Sequence, residues 1–303
     1  MSLLVVGSVA LDSVETPFGK RDDALGGSAT FFSTAASLFA PVQLVAVVGE
    51  DFPSEHVEFL SSRKIDLAGL TKAPGKTFRW KGRYTYELNE AHTLDTQLNV
   101  FASFAPELPA AYRKAEFVFL GNIDPVLQAK VLDQVEKPKL VAADTMNFWI
   151  RGKKAELIKT LERVDLLFVN DAKARELAGE SNIVKAARAI QRMGPKRVAI
   201  KRGEYGAMLF DHDHMCAAPA LPLSEVFDPT GAGDSFAGGF MGHVAHKGNL
   251  EPNTLRQALA VGTVVASFTV EQFSLDRLRT VTREDVKRRF SEFKKLIHID
   301  ELA

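Results

Sequence analysis

Asp228-Pro229-Thr230-Gly231-Ala232-Gly233-Asp234-Ser235-Phe236-Ala237-Gly238-Gly239-Phe240 is the stretch on which the reading of the chain turns. A turn, Asp228-Pro229-Thr230, runs into three small residues. An apolar series follows at helical spacing: Phe236, Ala237, Phe240, Met241 and Val244. The segment is expected to be a glycine-rich loop feeding a helix over 231–246. The first N–H groups of a helix lack intrahelical acceptors and sit at the positive end of its dipole, which suits an anion. Two carboxylates, Asp228 and Asp234, flank the glycines. Beside a loop that only bound phosphate they would repel the ligand. Asp234 makes sense if it takes a proton from a nucleophile that then attacks a phosphate held by the loop amides. The plainer reading is a helix cap, because Asp and Ser favour N-caps and glycine favours turns. No Gly-Lys-Ser/Thr follows, so this is not a Walker loop. The Gly-x-Gly-x-x-Gly spacing of a dinucleotide site is also missing.

Outward from this loop, the composition is that of a globular protein. The 303 residues are 46% hydrophobic and 25% charged, and the length suffices for one large domain or two small ones. Lys+Arg and Asp+Glu are both 38, and a formal net charge of zero argues against nucleic acid as the main partner. Cys216 is the single cysteine, so no internal disulfide forms and a reducing cytoplasm fits. His212 and His214 alternate with aspartates and read as a solvated hairpin rather than a metal site. The apolar Ser2–Val6 run meets Gly7 and Asp12 too early for a signal peptide, and no stretch approaches a membrane span of ~20 apolar residues. No membrane contact is expected.

Leu3–Val9, Leu44–Val48, Phe117–Leu120, Leu140–Ala143, Leu166–Val169 and Val198–Lys201 read as buried strands. Helices fit between them, over 31–39, 53–63, 125–135, 153–163 and 182–193, and again over 252–269 and 282–296. Thr282-Arg283-Glu284-Asp285 resembles a capping box for the last. This rhythm implies an α/β chain with a mostly parallel sheet covered on both faces. Polar residues recur where strands end: Asp12, Asp144, Asn170 and Glu204. In an open α/β sheet that edge binds ligands.

Residues 76–88 break the rhythm. Phe78, Trp80, Gly82, Tyr84 and Tyr86 fall on one parity and Arg79, Lys81, Arg83 and Thr85 on the other, the period of a strand with one face covered. The segment is expected in a small separate sheet, with an ordinary edge strand as the alternative.

Asp228-Pro-Thr-Gly-Ala-Gly-Asp234 resembles the C-terminal signature of the ribokinase-like (PfkB) carbohydrate kinases, and the similarity extends over nearly the whole chain. It implies a three-layer αβα sandwich with a small β-sheet lid, here residues 13–24 and 76–100 of a single kinase domain spanning 1–303. It implies transfer of the ATP γ-phosphoryl to an alcohol group of a sugar or nucleoside. In that family the last Asp is the base and the Gly-Ala-Gly amides form an anion hole, which assigns catalysis to Asp234 with Gly231, Ala232 and Gly233. Asp12 and the pair Gly26-Gly27, with Ser28 in place of the family's usual Asn, match substrate positions. Gly49-Glu50-Asp51 matches the Gly-x-Asp after the second sheet strand. Lys201-Arg-Gly203-Glu204-Tyr-Gly206 is similar to the family's turn near the nucleotide phosphates, and Asn170 and Thr230 join it as nucleotide positions. Asp228 matches a monovalent-cation position, potassium being the ion implied.

Two departures follow from the same comparison. The family's Asn-x-x-Glu motif, which orients the Mg²⁺ hydration shell, aligns with Asn170-Asp171-Ala172-Lys173, so an ammonium replaces the acid. Glu176 or Asp171 would then serve Mg²⁺, or Lys173 would contact phosphate. The Gly-Ala loop of many members aligns with Phe268–Ser274, which has no glycine. The resemblance also implies a homodimer through the lid. Two other readings remain beside a sugar kinase: an adenosine-like nucleoside kinase, and a non-catalytic ligand sensor, which the retention of Asp228 and Asp234 opposes.

Overall fold

Side chains alternate between the two faces of a central sheet, and helices cover both. In the computed structural model, residues 1–212 and 214–298 are described; Asp213 of the His212–His214 turn and the last five residues of the expected 1–303 domain lie outside them. The strands and helices in chain order are β1 (Leu3–Val6), β2 (Ala10–Thr16), β3 (Gly19–Gly26), α1 (Ser28–Ala36), β4 (Val42–Gly49), α2 (Ser54–Ser62), β5 (Ile65–Ala73), β6 (Arg79–Tyr84), β7 (Ala91–Gln97) and β8 (Phe117–Leu120). Then come α3 (Pro125–Leu132), β9 (Leu140–Asp144), α4 (Asn147–Gly152), α5 (Lys154–Leu161), β10 (Leu166–Asn170), α6 (Asp171–Ala178), α7 (Ile183–Gln191) and β11 (Arg197–Lys201). The hairpin β12 (Ala207–Asp211) and β13 (His214–Ala218) follows, and α8 (Ala232–Lys247), α9 (Pro252–Thr269) and α10 (Arg283–Leu296) close the fold.

The large sheet has the order β13-β12-β11-β10-β9-β8-β1-β4-β5. From β11 to β5 all neighbours are parallel, and the β12–β13 hairpin adds an antiparallel edge. Leu3, Val5, Phe117, Phe119, Leu166 and Phe168 face one layer, packed with α1, α8 and α9. Leu4, Val6, Val118, Leu120, Leu167 and Val169 face the other, packed with α5, α6 and α7. Each fully buried side chain of this kind contributes about 1.5–3 kcal/mol. At the centre of the first layer Phe32 stacks on Phe119 at 3.9 Å, and Phe168 meets Phe240 edge-on at 5.3 Å.

Glycines fix how closely α8 lies on α1. A Cβ on Gly238 would stand 2.4 Å from the Phe32 carbonyl oxygen, so only a bare Cα fits. The start of α8 is thus tied to α1 and to the end of β1. At the far end of the fold, Thr282 and Asp285 form the expected capping box of α10.

The second sheet, β3-β2-β6-β7, is the expected lid. It begins at Ala10, earlier than residue 13, because β2 leaves β1 after three residues. β2 pairs parallel with β6, and the other pairs are antiparallel. The aromatics in and beside β6 part company. Phe78 stacks with Phe101 at 5.3 Å, Trp80 lies where a Gly82 side chain would be, and Tyr86 is 83% exposed.

Candidate active site

The C-terminal ends of β9, β10 and β11, the first turn of α8, and the lid converge on one cleft. β1 ends at Val6, and the backbone of Gly7-Ser8 then packs on the first turn of α1. The Ser28 amide donates to Ser8 Oγ at 3.0 Å, and the two hydroxyls lie 3.2 Å apart. Ser28 is therefore spent on the floor of the cleft. Gly27 takes φ 91°, and a Cβ there would stand 2.4 Å from the Ser8 carbonyl oxygen.

Asp12 projects from β2 and is buried. Its Oδ2 accepts the Gly27 amide at 3.2 Å and occupies the space a Gly26 side chain would need. Burial pushes its carboxyl up to about 7. The Gly27 hydrogen bond opposes this, and the negative charges of Asp228 and Asp234 reinforce it. Asp234 is also about 7. Burial is the main cause, the Asp144 carboxylate adds to it, and the Lys201 and Lys173 ammonium groups pull against it. Asp228 and Asp234, far from Asp12 in sequence, thus lie near enough in a low-dielectric space to disfavour its ionisation.

Gly231 opens α8 with φ 75°, and a Cβ would stand 2.3 Å from the Phe31 ring. The Ala232 amide donates to the Pro229 carbonyl at 3.1 Å. Gly233 and Asp234 come next, in the first turn, where amides lack intrahelical acceptors. Thr230 is held by its amide to Asp228 Oδ1 at 2.9 Å. Asp228 Oδ2 accepts the Ser274 amide at 2.9 Å, and Ser274 Oγ donates to the Leu25 carbonyl at 2.6 Å. Asp228 therefore joins the signature loop to the loop after α9, and through Ser274 to the lid strand β3. Burial raises its carboxyl, and the Ser274 and Thr230 hydrogen bonds oppose the rise.

On the other side of Asp234 the charges are positive. Lys201 Nζ sits 2.7 Å from Asp144 Oδ2 and donates to the Gly233 carbonyl at 3.4 Å. A Cβ on Gly233 would come within 2.9 Å of that ammonium, so a side chain there would displace Lys201. Asn170 caps α6, its Oδ1 accepting the Lys173 amide at 2.8 Å. Lys173 Nζ reaches the Thr145 carbonyl at 3.3 Å. Gly203 and Gly206, with φ 53° and 85°, shape the turn after β11, and Glu204 on it is exposed. Glu176 is not drawn into this group. Its carboxylate takes Arg151, at 3.0 Å to Nη2, and Asn147 at 3.0 Å. Asp171 pairs with Arg175.

The lid closes over the cleft. Thr230 Oγ1 approaches the Tyr84 hydroxyl at 3.4 Å. Burial raises the Tyr84 hydroxyl well above its ordinary range; the Thr230 contact opposes this, and the charges of Asp228, Asp12 and Asp234 add to it. Asn89, at the tip between β6 and β7, fills the space beside Gly203. Parity marked Tyr84 as one of several aromatics; its approach to Thr230, a residue 146 positions away, is what singles it out. Ser8 and Ser274 carried no sequence signal, since each acts through a partner far along the chain.

With this geometry in hand, known proteins fall into place beside the chain. The sequence matches the pfkB family carbohydrate kinases over residues 14–279. It is 34% identical over 250 residues to the cytidine kinase of Thermococcus kodakarensis, covering 80% of this chain and 87% of that one. Solved structures share the fold. The Burkholderia thailandensis nucleoside kinase in complex with inosine superposes with TM-score 0.78 at 18% identity, over 97% of this chain and 98% of that one. A ribokinase-type chain from E. coli, solved with ATP and Mg²⁺, gives 0.78 at 16% identity, over 96% and 99%. The chain belongs to the pfkB family of carbohydrate kinases. It has their ribokinase-like fold and is a phosphotransferase of the sugar and nucleoside kinase class. Among the described residues no helix is long and apolar enough to cross a membrane.

Proposed function

We propose that the chain works as a single kinase unit and moves the γ-phosphoryl group of ATP to a hydroxymethyl group of a nucleoside, with cytidine the first acceptor to test. The observation that carries this reading is the placing of Asp234 in the first turn of α8, between the Asp12 side of the cleft and the Lys201 side. The name of the 34% identical relative favours a nucleoside over a free sugar. Asp12 and the Gly26-Gly27 backbone bind acceptor hydroxyls. Asp234 takes the proton from the attacking hydroxyl, and the Gly233 and Asp234 amides face the transferring group. Lys201, held by Asp144, sets the charge on the phosphate side, and the Gly203–Gly206 turn lies beside the nucleotide. The lid excludes water, which otherwise competes as acceptor.

The residues present fit a nucleotide: a glycine cradle at a helix N-terminus, backed by a lysine. They do not form a metal cage. Among the described residues no group of three or more acidic, His or Cys side chains is placed to hold a metal ion. Asp144 is tied to Lys201 and Glu176 to Arg151. Mg²⁺ would therefore arrive with the phosphates, held mostly by them and by water, and would neutralise their charge. Both Asp228 oxygens already accept amides, so we assign Asp228 to joining the two loops rather than to holding potassium. The reading needs no second copy of the chain.

The test is product formation from ATP and Mg²⁺ over cytidine, uridine, adenosine, inosine, ribose and fructose. A nucleoside is expected to give the highest kcat/KM. A free sugar that outruns every nucleoside would sink the acceptor assignment, and no turnover with any of the six would sink the reading as a whole.

A further inference from the structure

Lys173 is in an unfavourable place for a cation. It lies in the first turn of α6, at the positive end of that helix, where the dipole opposes an ammonium. Its side chain enters the cleft half-buried. The contact there is the Thr145 carbonyl at 3.3 Å, and among the described residues it forms no ion pair. Asp144 does not serve it as a partner: one oxygen takes Lys201 at 2.7 Å and the other the Thr145 amide at 2.6 Å. An ammonium has three donors, and two of these are unspent. Burial lowers the Lys173 pKa, Lys201 lowers it further, and Asp144 and Asp234 oppose the fall. The adjoining Thr145 hydroxyl is buried with no hydrogen-bond partner. A partly buried cation without a counter-ion is unfavourable, because the water it gives up is not replaced by an opposite charge. A second cation, Lys201, stands close enough to repel it. The missing element is an anion with more than one charge.

We propose that Lys173 binds the γ-phosphate of the nucleotide directly, as a cation built into the fold, with the Thr145 hydroxyl as a second donor. This rests on the phosphoryl-transfer reading above. Lys201 and Lys173 then stand on the phosphate side of Asp234, and part of the phosphate charge is met by the chain itself. It follows that ATP binds without a divalent ion, and that Lys173 distinguishes ATP from ADP.

Calorimetry of the full chain with ATP and with ADP, in EDTA and in excess Mg²⁺, tests this. Wild type is expected to bind ATP in EDTA. Lys173→Met is expected to lose about tenfold or more in metal-free ATP affinity, the scale of one charge-assisted hydrogen bond, while ADP affinity changes by less than about twofold. Lys173→Arg, which keeps the charge, holds ATP affinity within about threefold. If Lys173→Met melts below the assay temperature, Lys173→Gln against Lys173→Arg carries the same decision. Equal ATP affinity in the charged and uncharged variants overturns the proposal, and so does equal loss for ATP and ADP. A wild type that binds no nucleotide in either buffer overturns the phosphoryl-transfer reading instead.

Discussion

The two sides of Asp234 differ in how they hold charge. Towards the lid lie Asp12 and Asp228, whose own charges are met by backbone amides: Gly27 for the first, Thr230 and Ser274 for the second. Towards the ends of β10 and β11 lie Lys173 and Lys201, with one carboxylate, Asp144, spent on Lys201. Burial and the Asp144 carboxylate raise the Asp234 carboxyl while Lys201 and Lys173 lower it, and the Asp234 charge in turn helps raise Asp12 on the acidic side. Amides are fixed dipoles that need no counter-ion, and they suit a pocket for neutral hydroxyls. Ammonium groups suit a polyanion. The boundary between the two runs through Asp234, the residue that in the proposed mechanism takes the proton from the neutral reactant while the anion is attacked.

Removing the residue on that boundary is the largest perturbation. Asp234→Asn is expected to lower kcat by about 10³-fold, within the range for a general base. ATP affinity should stay within about twofold, because the phosphate-side lysines are untouched. In wild type, kcat/KM should rise through about pH 7 as the carboxyl loses its proton. That limb should vanish in the variant. Retention of most of the activity, or of the limb, would remove Asp234 from the role of base.

Asp12 tests the acidic side, with opposite effects on activity and stability. Its folded carboxyl, at about 7, lies above the ordinary 3.8. Between those values the folded state holds a proton that the unfolded chain has released. Stability from this group therefore falls as pH rises from about 4 to about 7, and the loss is complete above that window. Asp12→Asn removes the penalty and can still accept the Gly27 amide. The variant is expected to melt with wild type near pH 4 and several degrees above it, roughly 4 kcal/mol, at pH 8. Its kcat/KM for the acceptor should drop by about 10–100-fold, the scale of a hydrogen bond to a charged group. A melting difference that is the same at both pH values would contradict the buried, proton-holding Asp12.

Much of this division was legible in the sequence, and the part that was not has a physical reason. The 228–234 loop, and Asp144 and Asn170 at strand ends, are coded locally, because turn chemistry and apolar runs fix where strands stop; Asp12, expected at the end of a Leu3–Val9 strand, lies instead within β2, because β1 stops at Val6. The boundaries of α9 and α10 agree with 252–269 and come within one residue of 282–296 for the same reason, one through Pro252 at its start and one through the Thr282–Asp285 box. β5 and the β12–β13 hairpin were not anticipated as parts of the large sheet. Their side chains are only partly buried, and an edge strand is defined by its pairing partner more than by its own pattern. The engagement of the Ala232 amide by Pro229, and the pairing of Glu176 with Arg151, depend on side-chain and loop geometry that spacing does not encode. Lys173 was visible as an odd charge. That it lacks a carboxylate partner was not, since this depends on Lys201 having taken Asp144.

The smallest effect, and the one that sharpens the comparison most finely, lies at the lid. Tyr84 brings a hydroxyl from β6 to within 3.4 Å of Thr230 Oγ1, so this strand of the lid reaches the acidic side through a long contact. Asn89 touches the turn at Gly203 on the basic side by packing alone. Tyr84→Phe removes the polar contact and keeps the ring. Its loss should cost about 0.5–1.5 kcal/mol, or roughly two- to tenfold in kcat/KM for the acceptor, with little change in ATP affinity. Because the ring still fills the lid, the melting temperature should hold within about a degree. A looser lid admits water to the γ-phosphate, so ATP hydrolysis without acceptor should rise while acceptor turnover falls. A fall in ATP affinity equal to that in acceptor kcat/KM would mean that the lid serves both sides alike. The hydroxyl of Tyr84 would then close the whole cleft and not only its acidic half.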